Sequence, residues 1–119
     1  MNQLKNGWPL FLPETPAPWR PLVDVYRTRD GWLLKFDLAG VRLADVTVSV
    51  CGRKVSVSGC RKDMVVEEGS SYYSMELSYN RFERTIEVPL SLDGARITME
   101  ARDGILLVRM STEGKHNVR

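Results

Sequence analysis

Valine alternates with threonine and serine in two neighbouring runs, residues 46–50 and 55–58. A period of two is that of a β-strand with one buried face. Gly52-Arg53 separates the runs, so the pattern predicts a hairpin with Val50 opposite Val55 and Val48 opposite Val57. One face of this hairpin is then apolar and the other carries hydroxyl groups.

Short β-prone runs continue over residues 22–111, separated by turn dipeptides such as Asp30-Gly31 and Asp103-Gly104. Runs spaced by roughly ten residues are typical of an all-β sandwich or barrel. Gly52, Gly59, Gly94 and Gly104 are interpreted as turn residues, and no helix longer than one turn is predicted. The predicted strands are 22–28, 31–38, 45–51, 54–60, 72–78, 81–88, 96–102 and 105–111, with a weaker candidate at 64–66.

Residues 1–21 form a different kind of segment, because they hold five of the six prolines together with large apolar side chains. Proline at this density prevents a helix or a central strand. We therefore expect an irregular arm over 1–21, a β-domain over 22–111 and a short tail over 112–119. Whether the arm stays exposed or folds back onto its own sheet is left open.

The length and charge of the chain narrow the classes of function. A chain of 119 residues suits one domain, and a net charge of +2 with scattered Lys and Arg residues gives no reason to expect a nucleic-acid partner. No apolar run approaches the roughly 18 residues of a membrane span, so we expect no membrane partner and a cytoplasmic location.

The hairpin places Cys51 at its turn and Cys60 at its far end, which argues against an internal disulfide.

Catalytic and cofactor motifs are missing from the sequence. The only histidine, His116, lies in the tail without an orienting partner for acid–base chemistry. The cysteines lack zinc-ligand spacing, and the glycines never form a phosphate-binding loop. We therefore expect neither an enzyme nor a bound cofactor or metal.

Two features point to surfaces that bind other chains. The first strand follows the proline arm without a hairpin partner before it, and an open strand edge invites another strand. The connection over 61–78 is long for a compact domain, and such loops are usually functional or disordered.

Arg84 shares an apolar strand face with Phe82 and Ile86, so it needs either a route to solvent or a carboxylate across an interface.

Several motifs in order resemble the alpha-crystallin domain of small heat-shock proteins, over about Pro21 to Met110. Ala39-Gly40 resembles the family's Pro-Gly turn with alanine in place of proline, and the distance from Gly59 to Phe82 is similar to that of the bacterial and plant branch. The matching segments are Pro21-Leu22-Val23-Asp24-Val25-Tyr26, Phe36-Asp37-Leu38-Ala39-Gly40-Val41, Val55-Ser56-Val57-Ser58-Gly59, Tyr72 with Glu76 and Tyr79, Phe82-x-Arg84-x-Ile86-x-Val88-Pro89, and Ile97 with Gly104-Ile105-Leu106.

The resemblance implies a fold and a mode of assembly. The fold is a two-sheet antiparallel, immunoglobulin-like β-sandwich, and a loop strand near 64–66 pairs with the first strand of a second subunit to form a homodimer. The candidate dimer residues are Val23, Val25, Tyr26, Met64, Val65, Val66, Tyr72 and Arg84. The family's assembly motif, Ile or Val at alternate positions in the tail, is missing from 112–119, so we expect a dimer or small oligomer.

The resemblance also implies an ATP-independent holdase that binds partly unfolded client proteins. Apolar side chains on an arm without fixed shape suit many partners. A groove between the strands at 45–50 and 96–102 is a second candidate surface, although Val48 is favoured as plain core. The alternative function is an adaptor for one folded partner, against which the long loop argues. The candidate client-binding residues are Trp8, Leu10, Phe11, Leu12 and Trp19, and the candidate groove residues are Val46, Val48, Ile97 and Met99.

Overall fold

The chain folds into two antiparallel sheets in the computed structural model, which describes residues 19–64 and 66–112. One short 3-10 turn, Leu43–Asp45, precedes the third strand. The all-β class and seven of the predicted strands are confirmed, with ends that shift by at most one residue. The strands are β1 (Val23–Thr28), β2 (Gly31–Asp37), β3 (Val46–Cys51), β4 (Lys54–Cys60), β5 (Arg81–Glu87), β6 (Arg96–Arg102) and β7 (Ile105–Ser111).

The strand order is β1-β2-β7-β6 in the four-stranded sheet and β3-β4-β5 in the three-stranded sheet. The β3–β4 hairpin has the predicted register, with Val50 opposite Val55 and Val48 opposite Val57. β2 pairs with β7, so that Leu34 lies opposite Val108. The four-stranded sheet therefore joins distant parts of the chain, whereas the three-stranded sheet starts from a local hairpin.

Inward-facing side chains from both sheets share one core, which makes the fold a β-sandwich. Each large side chain removed from water in this way stabilises the fold by about 1.5–3 kcal/mol. The row Val46–Gly59–Phe82 crosses the three-stranded sheet, and the ring of Phe82 is buried. The buried core consists of Leu34, Phe36, Leu38, Val55, Val57, Phe82, Val88, Leu92, Leu106, Val108 and Met110.

Three of the four glycines interpreted as turn residues lie in turns, and the fourth, Gly59, does not. Gly52, Gly94 and Gly104 have φ of 62°, 78° and 81°, a left-handed conformation typical of turn glycines. Gly59 is not a turn residue, because it lies within β4. It faces the interior at a point where a side chain would meet the Phe82 ring and the Asp45 carbonyl.

The predicted strand at 72–78 is wrong, since these residues belong to an irregular connection between β4 and β5. Met64 and Val66 of the weaker candidate also lie outside any strand, and Val65 is not among the described residues. An alternating pattern forms a strand only where a neighbour supplies hydrogen-bond partners. The described part of the chain offers this segment no such neighbour.

The two cysteines lie where the hairpin pattern placed them. Cys51 is opposite Lys54 at the turn, whereas Cys60 is opposite Arg81 at the other end of β4. Both thiols are free.

Candidate interaction surface

β1 forms an outer edge of the four-stranded sheet, because it pairs with β2 on one side only. Val25 and Tyr26 are 43% and 41% exposed on this strand, whereas Val23 packs against the core. The unpaired side of an edge strand presents backbone donors and acceptors to any incoming strand. The open edge predicted for the first strand is therefore present in the described chain.

The connection between β4 and β5, residues 61–80, is called the connecting loop below. Most of its described apolar side chains project into solvent instead of packing on the sandwich: Val66 is 81% exposed and Tyr73 fully so. Monomeric domains rarely leave apolar side chains this concentrated in water. The exposed apolar residues of the loop are Met64, Val66, Tyr72, Tyr73, Met75 and Leu77.

Arg61 holds the two ends of the connecting loop together. Its backbone N–H donates to the Asn80 carbonyl at 3.1 Å, and its Nε donates to the Ser78 carbonyl at 2.8 Å. Its Nη1 donates to the Ala39 carbonyl at 3.1 Å. The guanidinium carbon lies 3.9 Å from the centre of the Trp19 ring.

Trp19 joins the arm to the sandwich. Its backbone N–H donates to the Arg81 carbonyl at 2.8 Å, and its ring meets the Phe82 ring edge-to-face, with 5.5 Å between the ring centres. This predicted client-binding residue is therefore half-buried at the start of the domain. The other four, Trp8, Leu10, Phe11 and Leu12, lie outside the described residues.

Arg84 lies on the inner face of β5, opposite Val57 of β4. Its Nη1 donates to the Pro21 carbonyl at 2.7 Å, a partner that neither sequence interpretation named. Burial, followed by the charge of Arg20, lowers the pKa of Arg84. Pro21 lies just before β1 of the four-stranded sheet, whereas β5 is an outer strand of the three-stranded sheet. This hydrogen bond therefore ties the two sheets together at one edge of the sandwich.

Replacing Arg84 with alanine is expected to lower the free energy of unfolding by about 1–2 kcal/mol, since the Pro21 carbonyl loses a charged donor. Lysine at the same position keeps the charge and a donor, so its effect is expected to be smaller. Urea unfolding of both variants measures this, with Arg81→Ala, an exposed residue of the same strand, as the control. Equal stability of Arg84→Ala and Arg81→Ala would contradict the assigned hydrogen bond.

The predicted groove residues separate in the structure. Val46 borders a cavity of about 210 Å³ between the start of β3 and the β6–β7 turn, with Leu43, Ala101 and Ile105 in its lining. Val48 and Ile97 pack against the core, in agreement with the interpretation of Val48 as core. Met99 is 37% exposed on β6 and does not line that cavity.

Within residues 19–64 and 66–112, no group of three or more His, Cys, Asp or Glu side chains could hold a metal ion. The same part of the chain contains no helix long and apolar enough to cross a membrane.

Sequence reasoning missed Arg61, Tyr73 and Leu77 as surface or anchoring residues. An arginine that follows a strand resembles any solvated cation, and no periodicity connects it with Trp19. The alternating pattern assigns Tyr73 and Leu77 to a strand, which does not predict that both side chains lie mostly in solvent. The one available signal was the length of the loop, which marks the segment but not its anchors.

The geometry can be compared with known proteins. The family model described as "Hsp20/alpha crystallin family" matches residues 24–119. Spore protein SP21 of Stigmatella aurantiaca is 32% identical over 95 residues, which cover 80% of this chain and 56% of the relative. Heat shock protein 16 of Schizosaccharomyces pombe is 30% identical over 103 residues, covering 82% and 69%.

Solved structures agree with these matches. The hspA structure from Xanthomonas axonopodis has a TM-score of 0.64 at 28% identity, with 80% of this chain and 95% of that chain covered. Heat shock protein 16.0 from Schizosaccharomyces pombe gives 0.67 at 29% identity, covering 82% and 70%. The chain spans 56% of SP21 and 64% of small heat shock protein C2 of Rickettsia felis. With its two-sheet sandwich and its family match over most of the chain, this protein belongs to the Hsp20/alpha-crystallin family.

Proposed function

We propose that the protein is an ATP-independent holdase that binds partly unfolded proteins in the cytoplasm and prevents their aggregation. Family membership supports a chaperone role. The observation that carries the more specific proposal is the set of exposed apolar side chains beside a complete core. These side chains are not part of the core, so the sandwich folds without burying them and their apolar surface stays available to other chains.

The chemistry of this surface suits many partners. Met64 and Met75 are exposed at 72% and 48%, and methionine adapts its shape to different apolar groups. Tyr72 and Tyr73 add flat apolar area with a polar group at the tip. A surface of this kind binds apolar segments without requiring one sequence.

The same surface supports a homodimer formed by strand exchange. Within the described part of the chain, β1 has an unpaired edge, and the residues around Met64 and Val66 have the composition of a strand but no partner. Pairing the loop of one subunit with β1 of the other satisfies both. We therefore propose that the connecting loop forms the dimer contact and that the arm, with Trp8, Leu10, Phe11 and Leu12, is a further client-binding segment.

The holdase proposal predicts that the protein, without ATP and at a stoichiometric amount, suppresses heat-induced light scattering of an aggregation-prone client. Bovine serum albumin serves as the inert control. It is added at equal mass, at a temperature at which it does not itself scatter light. Unchanged scattering of the client would overturn the proposal.

The arm's share is measured with a full-length variant in which Trp8, Leu10, Phe11 and Leu12 are all replaced by serine. Weaker suppression at an unchanged melting temperature is expected if the arm binds clients. Full suppression by this variant would assign client binding to the sandwich and its loop.

A further inference from the structure

We propose that Arg61 is the positioning residue of the connecting loop and that, through Trp19, it couples the orientation of this loop to the docking of the arm. The inference deepens the proposed function, because it takes the connecting loop as the dimerisation segment. It rests on four contacts that one arginine makes with three separate segments.

The first two contacts close the base of the loop. The Arg61 backbone N–H binds the Asn80 carbonyl, and Nε binds the Ser78 carbonyl at 2.8 Å. Further out, the hydroxyl of Ser70 donates to the Glu67 carbonyl at 2.8 Å, a local turn contact that gives the loop no orientation relative to the sandwich. Arg61 therefore joins both ends of the loop at its base.

The third contact joins this base to the turn at Ala39. Nη1 of Arg61 donates to the Ala39 carbonyl, in a turn held by the Leu38 N–H on the Gly104 carbonyl at 3.0 Å. Gly40 leaves room for the arginine stem, since a Cβ at this position would lie 3.3 Å from Arg61 Cδ. The turn therefore accepts the side chain of Arg61 closely and presents an acceptor to it.

The fourth contact brings in the arm. The guanidinium lies 3.9 Å from the centre of the Trp19 ring, and Trp19 in turn packs on Phe82. A guanidinium can stack on a ring with its face while its N–H groups donate in the plane, a combination that lysine cannot reproduce. Arg61 therefore contacts the Trp19 ring of the arm while its N–H groups donate to the loop and to the Ala39 turn.

This arrangement makes the loop sensitive to the state of the arm. Trp19 belongs to the arm, residues 1–21, so a partner that displaces this part of the arm also removes its ring from the Arg61 guanidinium. Removal of the ring leaves the guanidinium free to turn towards water, which weakens its bonds to Ser78 and Ala39. Undocking of the arm is thus expected to loosen the loop.

Hydrogen–deuterium exchange of peptides covering 62–79 in the full-length protein tests the positioning role. Arg61→Gln is expected to accelerate exchange in this segment by roughly threefold or more, because local opening becomes easier. Arg61→Lys is expected to behave similarly, since it keeps the charge but loses the planar set of donors. Lys62→Gln removes one exposed positive charge next to Arg61 and serves as the matched control. Exchange in Arg61→Gln equal to that in Lys62→Gln would overturn the inference.

The coupling to the arm is tested with Trp19→Ala alone and in the Arg61→Gln background. Trp19→Ala is expected to accelerate exchange in 62–79 when Arg61 is intact and to add little in the Arg61→Gln background, since the two residues act together. Equal effects in both backgrounds would contradict the coupling.

Dimer dissociation, measured by sedimentation at decreasing concentration, separates this inference from the proposed function. Arg61→Gln is expected to weaken the dimer by roughly tenfold, because charge-assisted bonds that hold the loop are lost. A wild-type protein that never dimerises would contradict the proposed assembly, while the exchange experiment would still decide the role of Arg61. A wild-type dimer matched by an equally tight Arg61→Gln dimer would refute the positioning role alone.

Discussion

Replacing Gly59 with alanine is expected to lower the free energy of unfolding by about 2–3 kcal/mol, at the upper end of the range for overpacked cores. A Cβ on Gly59 would lie 2.4 Å from the Asp45 carbonyl oxygen and 2.8 Å from Cζ of Phe82. The first of these neighbours is backbone and cannot rotate away. The ring of Phe82 must then move, and Trp19 rests against that ring.

Urea unfolding followed by far-ultraviolet circular dichroism measures the loss. Ser58→Ala, the neighbouring residue on the opposite face of β4, is the matched control and is expected to change stability by less than about 0.5 kcal/mol. The double variant Gly59→Ala/Phe82→Leu is expected to lose less free energy of unfolding than the two single variants lose in sum, because leucine frees part of the space. Strict additivity would show that the ring is not the obstacle.

Introducing aspartate at both Met64 and Val66 is expected to raise the dimer dissociation constant by about a hundredfold or more. Both side chains are more than 70% exposed in the single chain, so the substitutions leave the core untouched. In a dimer formed by strand exchange they become buried against β1, where an unpaired carboxylate is strongly unfavourable. Light scattering coupled to size-exclusion chromatography, over a dilution series, measures the change.

Leu90→Asp is the matched control, because Leu90 is 57% exposed but lies outside the connecting loop and β1. It is expected to leave the dimer unchanged. A double variant that dimerises as tightly as Leu90→Asp would exclude Met64 and Val66 from the interface. A large, closed assembly of the wild-type protein would contradict the expected dimer or small oligomer.

The sandwich was predictable because its strands follow a simple rule. Val46, Val48 and Val50 alternate with polar residues, and this period fixes both the face that is buried and the register of the hairpin. The pattern at 72–78 looked similar but describes a strand without a neighbour. Periodicity gives the preference of a segment for extended structure, whereas the partner is decided by the rest of the fold.

The candidate surface was predictable only in part, since its anchors are backbone carbonyls. Arg84 was correctly singled out as a cation on an apolar face, but its partner is the Pro21 carbonyl. Arg61 likewise binds the carbonyls of Ser78 and Ala39. Every residue carries a carbonyl, so sequence alone cannot indicate which one an arginine will find.

The pairing of β2 with β7 affects the order in which the domain can fold. β2 cannot pair with β7 until the end of the domain has been synthesised, and the contact of Thr112 with the Asp30 carbonyl spans 82 residues. During synthesis at about 5–20 residues per second, the β3–β4 hairpin can close while the inner face of β1 and β2 still lacks its neighbour. Contacts of such separation slow folding to milliseconds or longer. The newly made chain therefore passes through a stage in which it exposes Leu34 and Phe36, and for that interval it is itself a protein prone to aggregate.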